Sequence, residues 1–294
     1  MSFISYLING ISLGSVYAII ALGYTMVYGI AKMLNFAHGD VIMIGAYTIF
    51  ATVSMAGLPP VLGILLSVVL CTLLGIAIEA IAYRPLRQAS SSLVVLITAI
   101  GVSYFLQNIA LLIFGANTKA FTSVVNVPSL SLAGGQITIS GETIVTILSC
   151  IVIMIGLTLF VNKTKAGQAM LAVSEDKAAA KLMGINVNAT ISKTFAIGSC
   201  LATFASIFYL MQIPTVEPTL GSMPGIKAFT ASVIGGIGSV PGAVVGAIII
   251  GIVESLARAF GLADFADVIS FALLIIILVV KPNGIFGEQT REKV

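Results

Sequence analysis

The sequence predicts an all-α membrane protein with about eight membrane helices, and three observations support this fold class. Apolar residues make up 59% of the 294 residues and charged residues only 9%, against about 25% charged residues in an average soluble domain. The mean hydropathy is +1.14, and long runs without a charged residue recur along the chain. This composition excludes a disordered protein, a nucleic-acid binder and a secreted disulfide scaffold.

The charge-free runs predict where the membrane helices lie, because a helix needs about 20 apolar residues to cross the hydrocarbon core. The first run, 1–31, lacks the basic segment of a cleavable signal peptide, so it is expected to remain as a membrane helix. Alternation around 129–138 is too short to predict a barrel. Complete helices are predicted near 5–29, 39–56, 60–82, 92–114, 142–161, 190–212 and 265–281.

The remaining apolar stretch, 226–259, is predicted to be broken or re-entrant. Its centre, 235–242, contains four glycines and a proline, which are poor residues for a helix interior. A half-helix that enters the membrane, a turn near Gly238 and a helix that leaves on the same side would suit this composition, and a long tilted helix pair is the alternative. A second interruption is predicted at 35–40. Paired interruptions are typical of transporters with a site near the middle of the membrane.

The distribution of Lys and Arg predicts the orientation. Two arginines lie in 83–87, five lysines in 163–193 and three basic residues in 281–293, whereas 115–141 contains only Lys119. By the positive-inside rule, the three basic segments are cytoplasmic and 115–141 lies outside. The C-terminus is therefore expected in the cytoplasm and the N-terminus outside.

The two interruptions supply the candidate residues of a substrate path. Polar groups within a bilayer are costly unless they pair or face water, so Asn35, His38 and Asp40 are expected to line the passage near its cytoplasmic mouth. The alternative is structural, with Asp40 capping a helix and His38 lying at the headgroup boundary. The second interruption adds Gly236, Gly238 and Pro241 to the candidate path.

The remaining polar residues predict no catalytic or metal chemistry. Lys227 is expected to snorkel to the interface, and Glu254 and Arg258 to form an ion pair on one helix face. No P-loop, dinucleotide fingerprint, nucleophile–base set or carboxylate pair occurs, so the chain is not expected to be an enzyme. His38 is the single histidine, and it has no second ligand at helical spacing, so no metal site is predicted.

The segment 163–190 is predicted to be a cytoplasmic loop that carries a docking helix. Its centre, 169–183, is rich in good helix formers, with Ser174 placed to start a helix of about three turns and Gly184 to end it. Leu182 is expected on the buried side of this helix, and a solvated connector is the alternative. The candidate coupling residues are Glu175, Asp176, Ala180, Leu182 and Gly184.

Five segments carry a resemblance to a known family. They are GYTMVYG at 23–29, NFAHGD at 35–40, AYRPLR at 82–87, KAFTA at 227–231 and GGIGSVPG at 235–242. Together they resemble the LivH-type permease subunits of bacterial branched-chain amino acid ABC importers, along essentially the whole chain. The general docking loop of ABC permeases, E-A-A-x-x-x-G, is matched at 178–184, except that Ala178 replaces the glutamate.

The resemblance implies a single transmembrane permease domain, 1–294, in the bacterial inner membrane. Its expected substrates are Leu, Ile and Val, delivered by an extracytoplasmic binding protein. The expected partners are a second similar permease, two P-loop ATPase subunits that bind ATP and Mg²⁺, and membrane lipid, with no cofactor on this chain. An ABC permease for urea or short amides, and a self-sufficient channel or secondary carrier, are the alternatives.

Overall fold

The computed structural model describes residues 3–88, 92–120, 127–132 and 137–287. These residues form eleven α-helices. They are α1 (Phe3–Ala31), α2 (His38–Ile49), α3 (Pro60–Ile78), α4 (Ser92–Phe114), α5 (Gly141–Lys163), α6 (Lys165–Glu175), α7 (Lys177–Leu182), α8 (Val187–Gln212), α9 (Ser222–Gly235), α10 (Val240–Ala259) and α11 (Ala266–Val280).

Several helices have short continuations. Helix α2 continues as a π-helical segment, Phe50–Met55, and α3 as another, Glu79–Tyr83, followed by a 3₁₀ turn, Arg84–Gln88. A second 3₁₀ turn, Ala263–Phe265, precedes α11. The described strands are β1 (Lys119–Ala120), β2 (Leu130–Leu132), β3 (Ile137–Ile139) and β4 (Thr215–Val216). Both pairs are antiparallel, β1 with β4 and β2 with β3.

The helical pattern confirms the fold class and the predicted positions. Seven helices in the described part are long and apolar enough to cross a membrane. The predicted helix 39–56 is present as α2 with its π-helical continuation, and 226–259 divides into α9 and α10. The prediction of a broken segment is therefore confirmed.

Helix α1 lies at the centre of the bundle and is buried almost continuously from Ser12 to Val27. It runs antiparallel to α10, and glycines allow the two backbones to touch. A Cβ added at Gly10 would lie 2.7 Å from the Cα of Ile252, and one added at Gly14 would lie 2.7 Å from the Cα of Ile248. Such close contact is the usual basis of helix association in membranes.

The bundle has two distinct ends, which α1 connects. At one, here the loop-helix end, α1 finishes near α6 and α7, and Lys177 contacts the carbonyl of Ala31. At the opposite end α1 begins, and Ser255 of α10 donates a hydrogen bond to the carbonyl of Tyr6. Large apolar side chains on the outer helices are exposed, as expected of surfaces that face lipid or another membrane subunit. Examples are Leu73, Leu112, Val152 and Val279.

Candidate functional site

Two helices, α2 and α9, begin at one place inside the bundle. We call this place the interior junction and define it by Gly39, Asp40, Gln107, Gly221 and Ser222. The backbones of Gly39 and Gly221 touch, because a Cβ added at Gly39 would lie 3.1 Å from the carbonyl carbon of Gly221. The Nε2 of Gln107 donates to the Oδ1 of Asp40 at 2.9 Å and to the Oγ of Ser222 at 3.2 Å. The side chain of Gln107 therefore joins the beginnings of the two helices.

The three polar candidates of the first interruption are enclosed by protein. Asn35, His38 and Asp40 are 4%, 1% and 2% exposed. The hydroxyl of Tyr83 donates to the Oδ1 of Asn35 at 3.0 Å. The ring of His38 meets that of Tyr24 edge-on, with centroids 4.8 Å apart. Helix α2 has Ala37 at its N-cap, without a side-chain cap, and Asp40 lies in its first turn. That these residues line a passage stays a prediction.

The second interruption is a turn at the loop-helix end of the bundle, residues 236–239, which we call the end turn. Gly236 and Gly238 have φ values of 103° and 98°, which side-chain-bearing residues rarely adopt. The Oγ of Ser239 accepts a hydrogen bond from the backbone N–H of Gly242, 3.2 Å away, and caps α10. Gly29 lies close to Gly238, two residues before α1 ends. The end turn therefore lies where α1 finishes, and the interruption within the bundle is the interior junction.

The C-terminal segment supports the end turn. The backbone N–H groups of Ile285 and Phe286 donate to the carbonyls of Ile234 and Gly235, both at 2.9 Å. These bonds satisfy two of the carbonyls that α9 leaves free where it ends. Of the three sequence candidates in this region, Gly236 is buried, whereas Gly238 and Pro241 are exposed.

A cluster of charges around the buried side chains of Lys227 and Glu254 joins four helices. Lys227 of α9 is 6% exposed, and its Nζ lies 3.0 Å from the Oε1 of Glu254 and 2.6 Å from the Oδ1 of Asp267. The hydroxyl of Tyr17 donates to the Oε2 of Glu254 at 3.0 Å. The expectation that Lys227 snorkels is wrong, because α10 and α11 bring two carboxylates to its ammonium group and compensate its burial. The predicted pair between Glu254 and Arg258 is confirmed.

The loop between α5 and α8 holds two helices instead of the single helix predicted from Ser174. Helix α6 already begins at Lys165, and the chain becomes extended at Asp176, where φ is −150°. The Oδ1 of Asp176 accepts hydrogen bonds from the N–H groups of Ala178 and Ala179, at 2.7 and 3.0 Å. Asp176 therefore acts as the N-cap of α7. Gly184, at φ 83°, follows α7 as the sequence predicts.

The faces of α7 differ from the prediction. Ala180 is 3% exposed and packs toward the bundle, whereas Leu182 and Met183 are 88% and 83% exposed. Leu182 was expected on the buried side, and that expectation is wrong for this chain. Ala180 and Leu182 are two positions apart in α7, so they lie on nearly opposite sides of the helix, and the side with Ala180 is the one that faces the bundle. Glu175 and Asp176 are exposed.

Helix α7 is connected directly to the end of α1. The Nζ of Lys177 donates to the carbonyl oxygen of Ala31 at 3.1 Å. An ammonium group at this position complements the partial negative charge at the C-terminus of a helix. Partial burial lowers the pKa of Lys177, and the charges of Arg87 and Lys32 lower this pKa further. No pattern in the sequence predicts this contact, since Lys177 and Ala31 lie 146 residues apart.

A second polar cluster lies at the loop-helix end. Glu79 of the α3 continuation is fully buried and pairs with Arg84, at 2.9 Å, and with Arg87. Ser192 of α8 also donates to Glu79, and Arg87 donates to Asn188. The basic segment after α3 thus attaches to the beginning of α8, next to the loop that carries α7.

Comparison with known proteins agrees with this architecture. Residues 6–278 match the family model of the branched-chain amino acid transport system permease component. The chain is 41% identical to the high-affinity branched-chain amino acid transport system permease protein LivH of Salmonella typhimurium, over 99% of this chain and 98% of that protein. It is 42% identical to the corresponding protein BraD of Pseudomonas aeruginosa, with the same coverage.

A solved structure shares the fold. PsaBC from Streptococcus pneumoniae, in complex with Fab, superposes with a TM-score of 0.50 at 16% identity, over 96% of this chain and 94% of that chain. The helical bundle, its two interruptions and these matches define a multi-pass transport permease. The chain belongs to the family of branched-chain amino acid transport system permease components.

Proposed function

We propose that this chain is the inner-membrane permease subunit of an ATP-driven importer that translocates Leu, Ile and Val. Family membership supports this proposal, because full-length relatives are named as high-affinity branched-chain amino acid permeases. An extracytoplasmic binding protein would deliver the amino acid. A second, similar permease would complete the path.

The observation that carries the proposal is the exposed apolar tip of the loop between α5 and α8. Leu182 and Met183 are 88% and 83% exposed on a capped helix that lies outside the long apolar helices. Large apolar side chains in such a position favour a protein partner over water. Lys177, on the same helix, holds the end of α1. A partner that moves α7 would therefore move the central helix of the bundle.

In this proposal the partner is one of two P-loop ATPase subunits, and these subunits bind ATP and Mg²⁺. This chain carries no cofactor and catalyses no reaction. The loop-helix end of the bundle, which carries the basic segments, and the C-terminus face the cytoplasm, as the positive-inside rule predicts. Glu175 and Asp176 would meet the ATPase together with Leu182, while Ala180 and Gly184 would shape the docking helix.

The proposed path runs beside the two interruptions. Gly238 and Pro241 are exposed and accessible to a substrate or a partner permease. Asn35, His38 and Asp40 would act from within the bundle, since they are enclosed in this chain. A conformational change of α2 or α9 would bring them to the path.

The experiment compares variants of the loop between α5 and α8 in the complete complex. The complex is reconstituted in vesicles, and the binding protein is supplied on the side that corresponds to the cell exterior. We expect Glu175→Lys and Leu182→Asp to insert and assemble, but to lose binding-protein-stimulated ATPase activity and leucine uptake together. Leu182→Met, which keeps an apolar side chain of similar size, is the matched control and should retain both. Full stimulated activity in both charged variants would mean that the loop is a solvated connector.

Competition for uptake tests the substrate class. Uptake of labelled leucine should be inhibited by Leu, Ile and Val and not by urea or short amides. Uptake that urea inhibits and isoleucine does not would assign the chain to the amide importers instead. Leucine transport by the purified chain without ATPase subunits would favour a self-sufficient carrier.

A further inference from the structure

A cavity of about 370 Å³ opens at the end of the bundle opposite the loop-helix end. It lies between the beginnings of α1 and α5 and the ends of α8 and α10. Residues from all four helices line it, among them Tyr6, Ser12, Glu142, Gln212 and Arg258. None of the candidates that the sequence suggested lies in this cavity.

Water and polar ligands can enter this cavity, and lipid tails are poor occupants. Its lining is rich in hydroxyl, amide and charged groups, and such groups are costly against hydrocarbon. Some of them are already ordered by neighbours. The Nε2 of Gln212 donates to the Oγ of Ser12 at 2.9 Å. Ser140 caps α5 by accepting from the N–H of Thr143 at 3.2 Å.

Two opposite charges face this one space. Glu142, in the first turn of α5, is partly buried, and its carboxylate has no hydrogen bond or ion pair with any part of the chain that the structure describes. The guanidinium of Arg258 is 52% exposed and contacts Glu254 through one of its nitrogens. Since a guanidinium has five N–H donors, Arg258 keeps donors for a further anion.

The lining also provides apolar contacts. Leu13 of α1 and Ile213, which follows α8, border the same space. A volume of about 370 Å³ lies near the lower limit of small-molecule sites, which span about 300–1,000 Å³. The cavity therefore suits a small molecule that carries both charges and a short apolar side chain.

We propose that this cavity binds a free aliphatic amino acid as its zwitterion, an inference that rests on the proposed transport function. Arg258 donates hydrogen bonds to the carboxylate, Glu142 accepts them from the ammonium group, and Leu13 and Ile213 contact the side chain. A simple anion would leave Glu142 unpaired, and a simple cation would leave the free donors of Arg258 unused. At this end of the bundle, the site would hold the amino acid between its release by a binding protein and its passage through the membrane.

The test measures binding of tritiated leucine to the intact complex in lipid nanodiscs, without the binding protein. We expect saturable binding, and at least a tenfold preference for leucine over 4-methylpentanoate, which lacks the ammonium group, and over 3-methylbutylamine, which lacks the carboxylate. Glu142→Gln should weaken leucine binding about tenfold, or about 1.4 kcal/mol, and should abolish the preference over 4-methylpentanoate. Glu142→Asp should keep that preference.

Glu217→Gln is the matched control, because Glu217 lies near this end but does not line the cavity. It should bind leucine as the wild type does. If Glu142→Gln fails to assemble, the preference of the wild-type complex among the three ligands still decides. Equal binding of leucine and 4-methylpentanoate overturns the proposal, as does unchanged binding by an assembled Glu142→Gln complex.

The result also separates this site from the transport function. If the complex takes up leucine with its binding protein but binds no leucine without it, the proposed amino-acid site in the cavity is wrong and the proposed transport function is unaffected. A complex that takes up no branched-chain amino acid counts against the importer itself.

Discussion

The interior junction and the end turn are both interruptions made of small residues, but different forces hold them. At the interior junction, Gly39 and Gly221 touch backbone to backbone, and Gln107 bridges Asp40 and Ser222. At the end turn, a Cβ on Gly238 would meet only the Cα of Gly29, 3.9 Å away, and its φ of 98° is the restraint. The interior junction is limited by volume and buried polarity, whereas Gly238 in the end turn is limited by backbone conformation.

This difference shows that the same sequence pattern, glycine and polar residues within an apolar stretch, can indicate either a buried helix junction or a turn at the end of the bundle. Glycine and polar residues interrupt both apolar stretches, yet only the interior junction lies within the bundle. Helix α9 runs from one to the other, beginning at Ser222 and ending at Gly235. Its beginning is therefore fixed by contact with Gly39, and its end by the positive φ values of the end turn and by hydrogen bonds from the C-terminal segment.

The largest effect is expected from volume added at the interior junction. Gly221→Ala places a methyl group against the backbone of Gly39, which cannot yield as a flexible side chain would. We expect a loss of about 3 kcal/mol or more, the upper range for overpacking, and little assembled protein by size-exclusion chromatography. Gly101→Ala is the control, because a Cβ there meets nothing within 4 Å. Normal assembly of Gly221→Ala would remove the distinction between the two regions.

A somewhat smaller effect is expected midway along α9, where Lys227 secures the helix between the two regions. Lys227→Met leaves Glu254, which is fully buried, with only Arg258 as its cationic partner. We expect a loss of about 3 kcal/mol, at the low end for breaking a buried ion pair. Thermal unfolding in detergent measures it. Lys163→Met, at an exposed position, should be neutral, and equal melting of the two variants would contradict a stabilising role for the cluster.

A change at the end turn should affect transport more than assembly. In Gly238→Leu the new Cβ makes no close contact, but the substitution forces a φ of 98° on a residue that disfavours it. We expect a loss of about 1–3 kcal/mol, with assembly retained and leucine uptake reduced. Gly236→Ala should be worse, since its Cβ would lie 2.6 Å from the N of Gly287. Wild-type uptake by Gly238→Leu would place the path away from the end turn.

The smallest effect on stability is expected at the contact between α7 and α1. Lys177→Met removes one ammonium group from the C-terminus of α1, worth about 0.3–1 kcal/mol. We expect a nearly unchanged melting temperature but weaker coupling. The measure of coupling is the ratio of leucine molecules taken up to ATP molecules hydrolysed, and this ratio should fall. Lys177→Arg, which keeps a donor of similar reach, should restore the ratio. An unchanged ratio in Lys177→Met would mean that α7 acts on the bundle through other residues.

The sequence predicted what depends on local composition. Charge-free runs located the long helices, the glycines of 235–242 located the end turn, and Gly184 marked the end of α7. The pair of Glu254 and Arg258 followed from helical spacing alone. Each of these features is decided by residues within a few turns of one another.

The sequence could not predict contacts between distant segments. The partner of Lys227 on α11, Asp267, and the contact of Lys177 with Ala31 depend on how helices far apart in the chain are arranged. The boundary at Asp176 was missed because good helix formers surround it, although Asp is a preferred N-cap residue. The roles of Asn35, His38 and Asp40 in a path, and of α7 in coupling, remain predictions.

The central place of α1 has a consequence for biosynthesis. This helix is made before the other described helices, but two side chains that bind it are made much later, since Tyr17 pairs with Glu254 and Ser12 with Gln212, 237 and 200 residues further along the chain. The hydroxyls of Tyr17 and Ser12 therefore lack these hydrogen-bond partners in the membrane until most of the chain has been made. A chain that stops before α8 would lack the partners of both hydroxyls, although α5 and α6 would still contact α1.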